Sequence, residues 1–111
     1  MLLTKTDFMI WRDCAHNAWI KLHRPHIYHA KPLSTFDQGI IETGNEVDAL
    51  ARDLFPGGEL MVRGDTERTQ ALIAARAPVI YQPVFETDRF AMVCDMLLWD
   101  SATQRYDLFE V

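Results

Sequence analysis

From Thr4 onward, apolar residues recur at helical steps: Phe8, Trp11, Ala15, Ala18, Trp19 and Leu22. Thr4-Lys5-Thr6-Asp7 has the spacing of a capping box, in which hydroxyl and carboxylate each satisfy the other residue's backbone N–H. The pattern predicts one helix over residues 6–22, with Phe8, Trp11 and Trp19 as core residues. Pro25 ends it, and the polar stretch 23–32 reads as a loop. A second cap at Thr35-Phe36-Asp37-Gln38 opens a helix whose stripe is Phe36, Ile40, Val47, Ala51 and Leu54, with Ile41 and Gly44 beside it. Phe55-Pro56-Gly57-Gly58 stops that helix. A short extended piece at 60–62 leads through Gly64-Asp65 to a third, shorter helix over 66–76.

After Pro78 the pattern changes. Residues 79–85 and 90–99 are rich in β-branched, aromatic and other apolar side chains and flank the polar turn Glu86-Thr87-Asp88-Arg89, and a second turn over 100–105 leads into a strand at 106–111. No internal repeat or low-complexity segment is present. Helices followed by an antiparallel β-meander make an α+β arrangement in one domain over residues 1–111.

A chain of 111 residues has room for one modest core. Its 49% hydrophobic and 24% charged composition is that of a soluble globular domain. Apolar runs such as Met96-Leu97-Leu98-Trp99 are far below the roughly 20 residues needed to span a bilayer, and the N-terminus lacks a signal-peptide pattern. A cytoplasmic protein without a membrane partner is expected. Two cysteines make no disulfide framework. The net charge of -5 argues against a general nucleic-acid coat. The charges are unevenly spread, however. Arg12, Lys21, Arg24, Lys31 and all 4 histidines lie within one segment beside a single acid, Asp13. Such a segment would suit the guiding of phosphates toward a carboxylate-held metal, although a solvated helix end is the plainer reading.

The informative residue is Asp95, which interrupts a strand that is otherwise apolar on both faces. A carboxylate in a central strand costs several kcal/mol unless it is paired or metal-bound. Glu110 poses the same problem between Phe109 and Val111. If the second turn is the loop, Trp99 lies opposite Tyr106, and counting back four on each strand places Asp95 opposite Glu110. Opposed residues share a face, with Cβ atoms about 4.5–5.5 Å apart. A divalent cation between them would remove their repulsion, and oxygen ligands of this kind suit Mg²⁺ or Mn²⁺ rather than zinc. An arginine partner, or a slip in register, would also relieve the pair.

Asp95, a spacer, and Glu110-Val111 resemble the D…(D/E)-x-K signature of the PD-(D/E)xK nucleases. The Cys14–Trp19 segment, Gly44 to Phe55 running into Pro-Gly-Gly, and the helix around Thr69 are similar to the RecB-like branch, which includes CRISPR-associated exonucleases. The resemblance covers nearly the whole chain through short motifs in a shared order. It implies a restriction-endonuclease-like core, incomplete at its C-terminus, that hydrolyses DNA, with Asp95 and Glu110 as catalytic metal ligands. A lysine two residues after the glutamate would orient the attacking water. That position lies past Val111, so little or no activity is expected of the chain as it stands. A non-catalytic module for DNA or protein contact is the alternative.

Relatives often carry a metal-binding histidine four residues after the helix glycine, and here that residue is Asp48. Helical geometry makes Asp48 the acid on its helix best placed to look toward the sheet, while Glu42 and Glu46 point nearly the opposite way; a boundary Asp that merely reaches water is the simpler reading. Gln82 stands where relatives often have an acid, as a contact to metal through water or as an ordinary strand amide. Cys14 matches a cysteine that joins three others around an iron-sulfur cluster in some relatives. Those others are absent, so no cluster is expected and Cys14 reads as a core residue. His23, His26 and His29 flank Pro25 without a nearby cysteine and read as a loop facing phosphate or solvent. The unfinished sheet is expected to leave apolar surface and a free strand edge that favour self-association.

Overall fold

The computed structural model describes residues 1–111 and is a mixed α/β molecule of five helices and seven strands in two sheets. A two-residue strand β1 (Leu3–Thr4) precedes α1 (Lys5–Asp13), and the capping box forms as expected: Thr4 Oγ1 accepts from the Asp7 N–H at 3.1 Å, and the Asp7 carboxylate accepts from the Thr4 N–H at 2.9 Å. The single first helix is not observed. Cys14 is extended, with φ -157° and ψ 104°, and separates α1 from α2 (Ala15–His23). It is exposed, not a core residue. Its N–H still donates to Ile10 and its carbonyl accepts from Ala18, so the break orphans neither group.

The expected loop after Leu22 contains a short helix, α3 (Pro25–Tyr28), which Pro25 starts rather than only stopping the one before, because its fixed φ suits a first helical turn. α4 (Thr35–Leu54) is capped one residue earlier than expected, by Ser34 and Asp37, and ends at Phe55 as Pro56 dictates. β2 (Glu59–Leu60), α5 (Thr66–Ala74), β3 (Val79–Tyr81), β4 (Val84–Glu86), β5 (Phe90–Val93), β6 (Met96–Asp100) and β7 (Arg105–Phe109) follow.

Both long expected strands are divided. β4 and β5 pair antiparallel and join β1, which runs parallel to β5; β3, β6 and β7 form an antiparallel set joined by β2, parallel to β3. Each chain segment thus passes from one sheet to the other, at Gln82-Pro83 and at Cys94-Asp95. Register is nevertheless preserved through the bend. Tyr81 pairs with Met96 and Val84 with Val93, and across the gap Gln82 N–H donates to Asp95 at 2.9 Å and Cys94 N–H to Pro83 at 3.1 Å. One long hairpin is bent in the middle, and the bend puts Gln82, at φ 50°, into the left-handed region that side chains rarely adopt.

The core lies between α5 and the strands: Met61, Leu72, Ile80, Val84 and Leu97, with Ile80 fully buried. Thr69 lies on the same side of α5, where its hydroxyl accepts the Val84 N–H and donates to the Asp65 carbonyl, so a polar group is buried without a lost hydrogen bond. The expected helical core residues are elsewhere. Phe8, Trp11 and Trp19 are more than half exposed, and no residue of α4 is buried. Accessible area is 8275 Å², against roughly 6,300 Å² for an ordinary monomer of this mass. The radius of gyration is 16.4 Å, where about 13 Å is usual. No helix is long and apolar enough to cross a membrane.

Candidate functional site

The bend in the long hairpin is where the acids collect. β6 is central in its sheet, between β3 and β7. Its register with β7 pairs Trp99 with Tyr106 and Met96 with Phe109, so Asp95 and Glu110 stand opposite each other one step beyond the ladder. Asp100 also pairs with Arg105, which shortens the turn to residues 101–104. Counting across the strands, Gln82, Asp95 and Glu110 fall in one row.

Their side chains do not share one space. Asp95 is half-buried, and its Oδ2 accepts the Val111 N–H at 2.7 Å. Glu110 is exposed rather than buried and turns to Lys5, at 2.6 Å. The hydrogen bond from Lys5 to Glu110 holds the ammonium above its ordinary range, against partial burial, and Asp95 and Cys94 add to the effect. Burial, then Glu110, pushes the Cys94 thiol up, so it stays neutral.

A cleft of about 370 Å³ opens beside Asp95. Asp48 and Gly44 of α4 line one wall, and Gln82, Asp95 and Val111 the other. Asp48 therefore does look toward the strands. Gln82 Nε2 donates to Asp48 Oδ2 at 3.2 Å, and Arg52, one helical turn on, donates to the same oxygen. Of the five acids on α4 it alone lines this cleft. The reason lies at the end of the helix. The Tyr81 hydroxyl donates to the carbonyls of Phe55 and Arg52 and accepts the Gly58 N–H, fastening the last turn of α4 to β3. Gly58 is needed for this approach, since a Cβ there would come within 2.6 Å of the Tyr81 ring. Tyr81→Phe is expected to cost about 1–2 kcal/mol, because two α4 carbonyls and the Gly58 N–H lose a partner in a half-buried place. Chemical denaturation measures it, and a loss under a few tenths of a kcal/mol would show that α4 is held otherwise.

In this arrangement no three His, Cys, Asp or Glu side chains converge closely enough to hold a metal ion by themselves. The donors that do converge are all oxygens. One oxygen each of Asp48 and Asp95 is free of protein hydrogen bonds, while Gln82 presents its amide nitrogen to Asp48. Two carboxylates, with water completing the shell, would suit Mg²⁺ or Mn²⁺; Gln82 would add its carbonyl only by turning its amide over, and Glu110 would join only by leaving Lys5.

The other expected residues lie apart. Lys21 is committed to buried Asp7 across the start of α1, so it is a structural cation rather than one presented to phosphate. Arg12, Arg24 and Lys31 are exposed on or near α1 to α3, Arg12 within 3.8 Å of Asp13. His23 lies tilted against Trp19 and His29 meets Tyr28 edge-on, and neither takes part in a ligand cluster. Lys5 and Tyr81 are the residues the sequence pattern did not single out. A contact across 105 residues leaves no local trace, and the Tyr81 hydroxyl is hidden in what reads as an apolar strand. Comparison of the chain with known protein families, with curated proteins and with solved structures finds no match.

Proposed function

We propose that the cleft at the hairpin bend is a Mg²⁺ or Mn²⁺ site for phosphodiester hydrolysis in DNA, in a restriction-endonuclease-like core of the PD-(D/E)xK kind. The observation that supports this reading most is the convergence of Asp48, Gln82 and Asp95. They come from α4 and from the two breaks of the bent hairpin and stand around one cleft, with Glu110, just past the end of β7, in the same row. Asp95 and Asp48 would hold the ion, with Glu110 on release from Lys5 and Gln82 directly or through water. The ion would supply charge for the phosphate and a lowered pKa for a bound water. The left-handed backbone of Gln82 suits the same reading, since strain of this sort collects at sites of function. Arg12, Arg24 and Lys31 would steer the DNA backbone.

The Lys5–Glu110 pair favours a second reading, in which the same fold serves as a non-catalytic DNA- or protein-binding module with a built-in ammonium at the carboxylates. Metal separates the two. A cation bound only by the folded chain and present at tenfold over its Kd stabilises by about 1.4 kcal/mol, a rise of roughly 5–10 °C in Tm for a domain of this size. Mn²⁺ should produce that rise, and Asp95→Asn should remove it. Metal-dependent cleavage of labelled DNA, lost in Asp95→Asn, supports the hydrolytic reading; a melting curve indifferent to Mn²⁺ overturns it. Binding of metal without cleavage leaves the second reading standing.

A further inference from the structure

Two apolar surfaces on this molecule are uncovered, and they differ in charge. The first runs along α4. Phe36, Ile40, Thr43, Val47, Leu50 and Leu54 are spaced 4, 3, 4, 3 and 4 apart, the repeat of a helix-pairing seam. Their mean direction lies roughly 120° around the helix from Asp48, and Thr43 and Val47, on the near edge of the seam, also line the cleft. Phe36 and Leu54 are each 76% exposed and Leu50 64%. The second is a groove of about 400 Å³ between α1, α2 and β5, walled by Phe8, Trp11, Trp19, Leu22 and Phe90. Its apolar walls and size suit two or three large side chains from one helix face, such as Val47, Leu50 and Leu54 at i, i+3 and i+7.

Charge decides which surface meets which. α4 carries Asp37, Glu42, Glu46, Asp48 and Asp53 against Arg52, five acids less one base, or -4. Residues 5–31 carry Lys5, Arg12, Lys21, Arg24 and Lys31 against Asp7 and Asp13, five bases less two acids, or +3. Pairing α4 with another α4 would set Glu46 and Asp53, which flank the seam, against their like. Once Lys5, Arg12 and Lys21 are matched with Glu110, Asp13 and Asp7, Arg24 and Lys31 are the bases of this segment left without an ion pair, so setting α4 there brings acids toward bases and not toward other acids. The area fits as well. The excess over an ordinary monomer, roughly 2,000 Å², exceeds the approximately 800 Å² per partner that a standard interface takes.

We propose that two copies of this chain pair by exchange, α4 of each lying in the α1–α2 groove of the other. The arrangement is two-fold and closed: the same two surfaces meet twice, and none is left over to recruit a third copy. Because Thr43 and Val47 also line the hairpin-bend cleft, pairing covers one rim of it, but the proposal does not rest on that cleft binding metal.

Sedimentation velocity over a dilution series tests it with the full chain and two double variants. Leu50→Gln with Leu54→Gln strips the part of the seam that lies outside the cleft; Trp11→Ala with Trp19→Ala strips the groove. The substituted side chains are all largely exposed, so both variants should keep the parent helical content and melting behaviour without a partner. The parent chain should dimerise, and each variant alone should weaken dimerisation by roughly tenfold or more. An equal mixture of the two should dimerise more tightly than either alone, because the intact groove of one receives the intact seam of the other. A parent chain that stays monomeric at high concentration overturns the proposal. So does a groove variant that dimerises like the parent, which would mean α4–α4 pairing, or a mixture that gains nothing.

Discussion

Ile80→Ala should lower the unfolding free energy by about 3–4 kcal/mol, read from urea denaturation with an unchanged slope. Ile80 is fully buried on β3, paired with Leu97 and Glu59, and packed among Met61, Leu72 and Val84. Removing three of its carbons leaves a cavity that the neighbours cannot easily fill, since they are fixed to α5, β4, β6 and the segment just after β2. The fraction lost is large because this core is small: domains in general hold only about 5–15 kcal/mol. The site should feel the loss too. Ile80 is two residues before Gln82 and one before Tyr81, so loosening β3 frees both the cleft wall and the hydroxyl that fastens α4. The variant's response to Mn²⁺ should therefore shrink along with its stability. A cost under about 1 kcal/mol would mean that the strands are held chiefly by their ladders rather than by this cluster.

Much of this arrangement was readable from residues near one another in sequence. A hydroxyl three residues before a carboxylate makes a helix start wherever the backbone is free to bend, so the Thr4 and Ser34 caps follow from local chemistry. Phe55-Pro56-Gly57-Gly58 ends α4 for similar reasons, with Gly57 at φ 89°. The pairing of Trp99 with Tyr106 came from the turn, and the row of Gln82, Asp95 and Glu110 rests on register alone. Asp48 was found from its angle on the helix. What failed was the step from amphipathic to buried. The stripes on α1, α2 and α4 exist, but periodicity states only that a face is apolar, not that this chain covers it. The breaks at Cys14 and Gln82 were missed because neither residue is a Gly or Pro. Pro83 disfavours the right-handed α region at Gln82, but its usual effect is extended backbone, so the left-handed φ of 50° is set by the bend and not announced by the sequence. For Cys14 the sequence holds no comparable signal.

Asp7→Asn is expected to cost about 2–3 kcal/mol at neutral pH, and the cost should vanish in acid. Asp7 is buried at the start of α1, where its carboxylate accepts from the Thr4 N–H and hydroxyl and pairs with Lys21 of α2. Burial pushes its pKa up, but the Lys21 ammonium and the two Thr4 donors together outweigh burial and hold the group below the ordinary carboxylate value of 3.8. A depressed folded value means that the unfolded chain takes up the proton first as pH falls. The stabilisation is therefore complete above that ordinary value and is lost as pH drops through the lower, folded one. Asparagine keeps the reach to Thr4 but offers Lys21 no charge, so the parent and variant should differ at pH 7 and converge in the acid range. Lys21→Met alone should cost at least as much as Asp7→Asn, because it leaves the buried Asp7 carboxylate without its counter-charge, and the double variant should show a coupling of at least about 1 kcal/mol. The consequence reaches the candidate site, since Lys5, the first residue of α1, is the group held against Glu110. Without the Lys21 pair α1 is held less firmly to α2, and Lys5 with it less firmly to Glu110, so Asp7→Asn should raise, not lower, the affinity of the remaining folded chain for Mn²⁺. Additive single and double variants, or a pH profile parallel to that of the parent down to strong acid, would show that Asp7 holds neither helix in place.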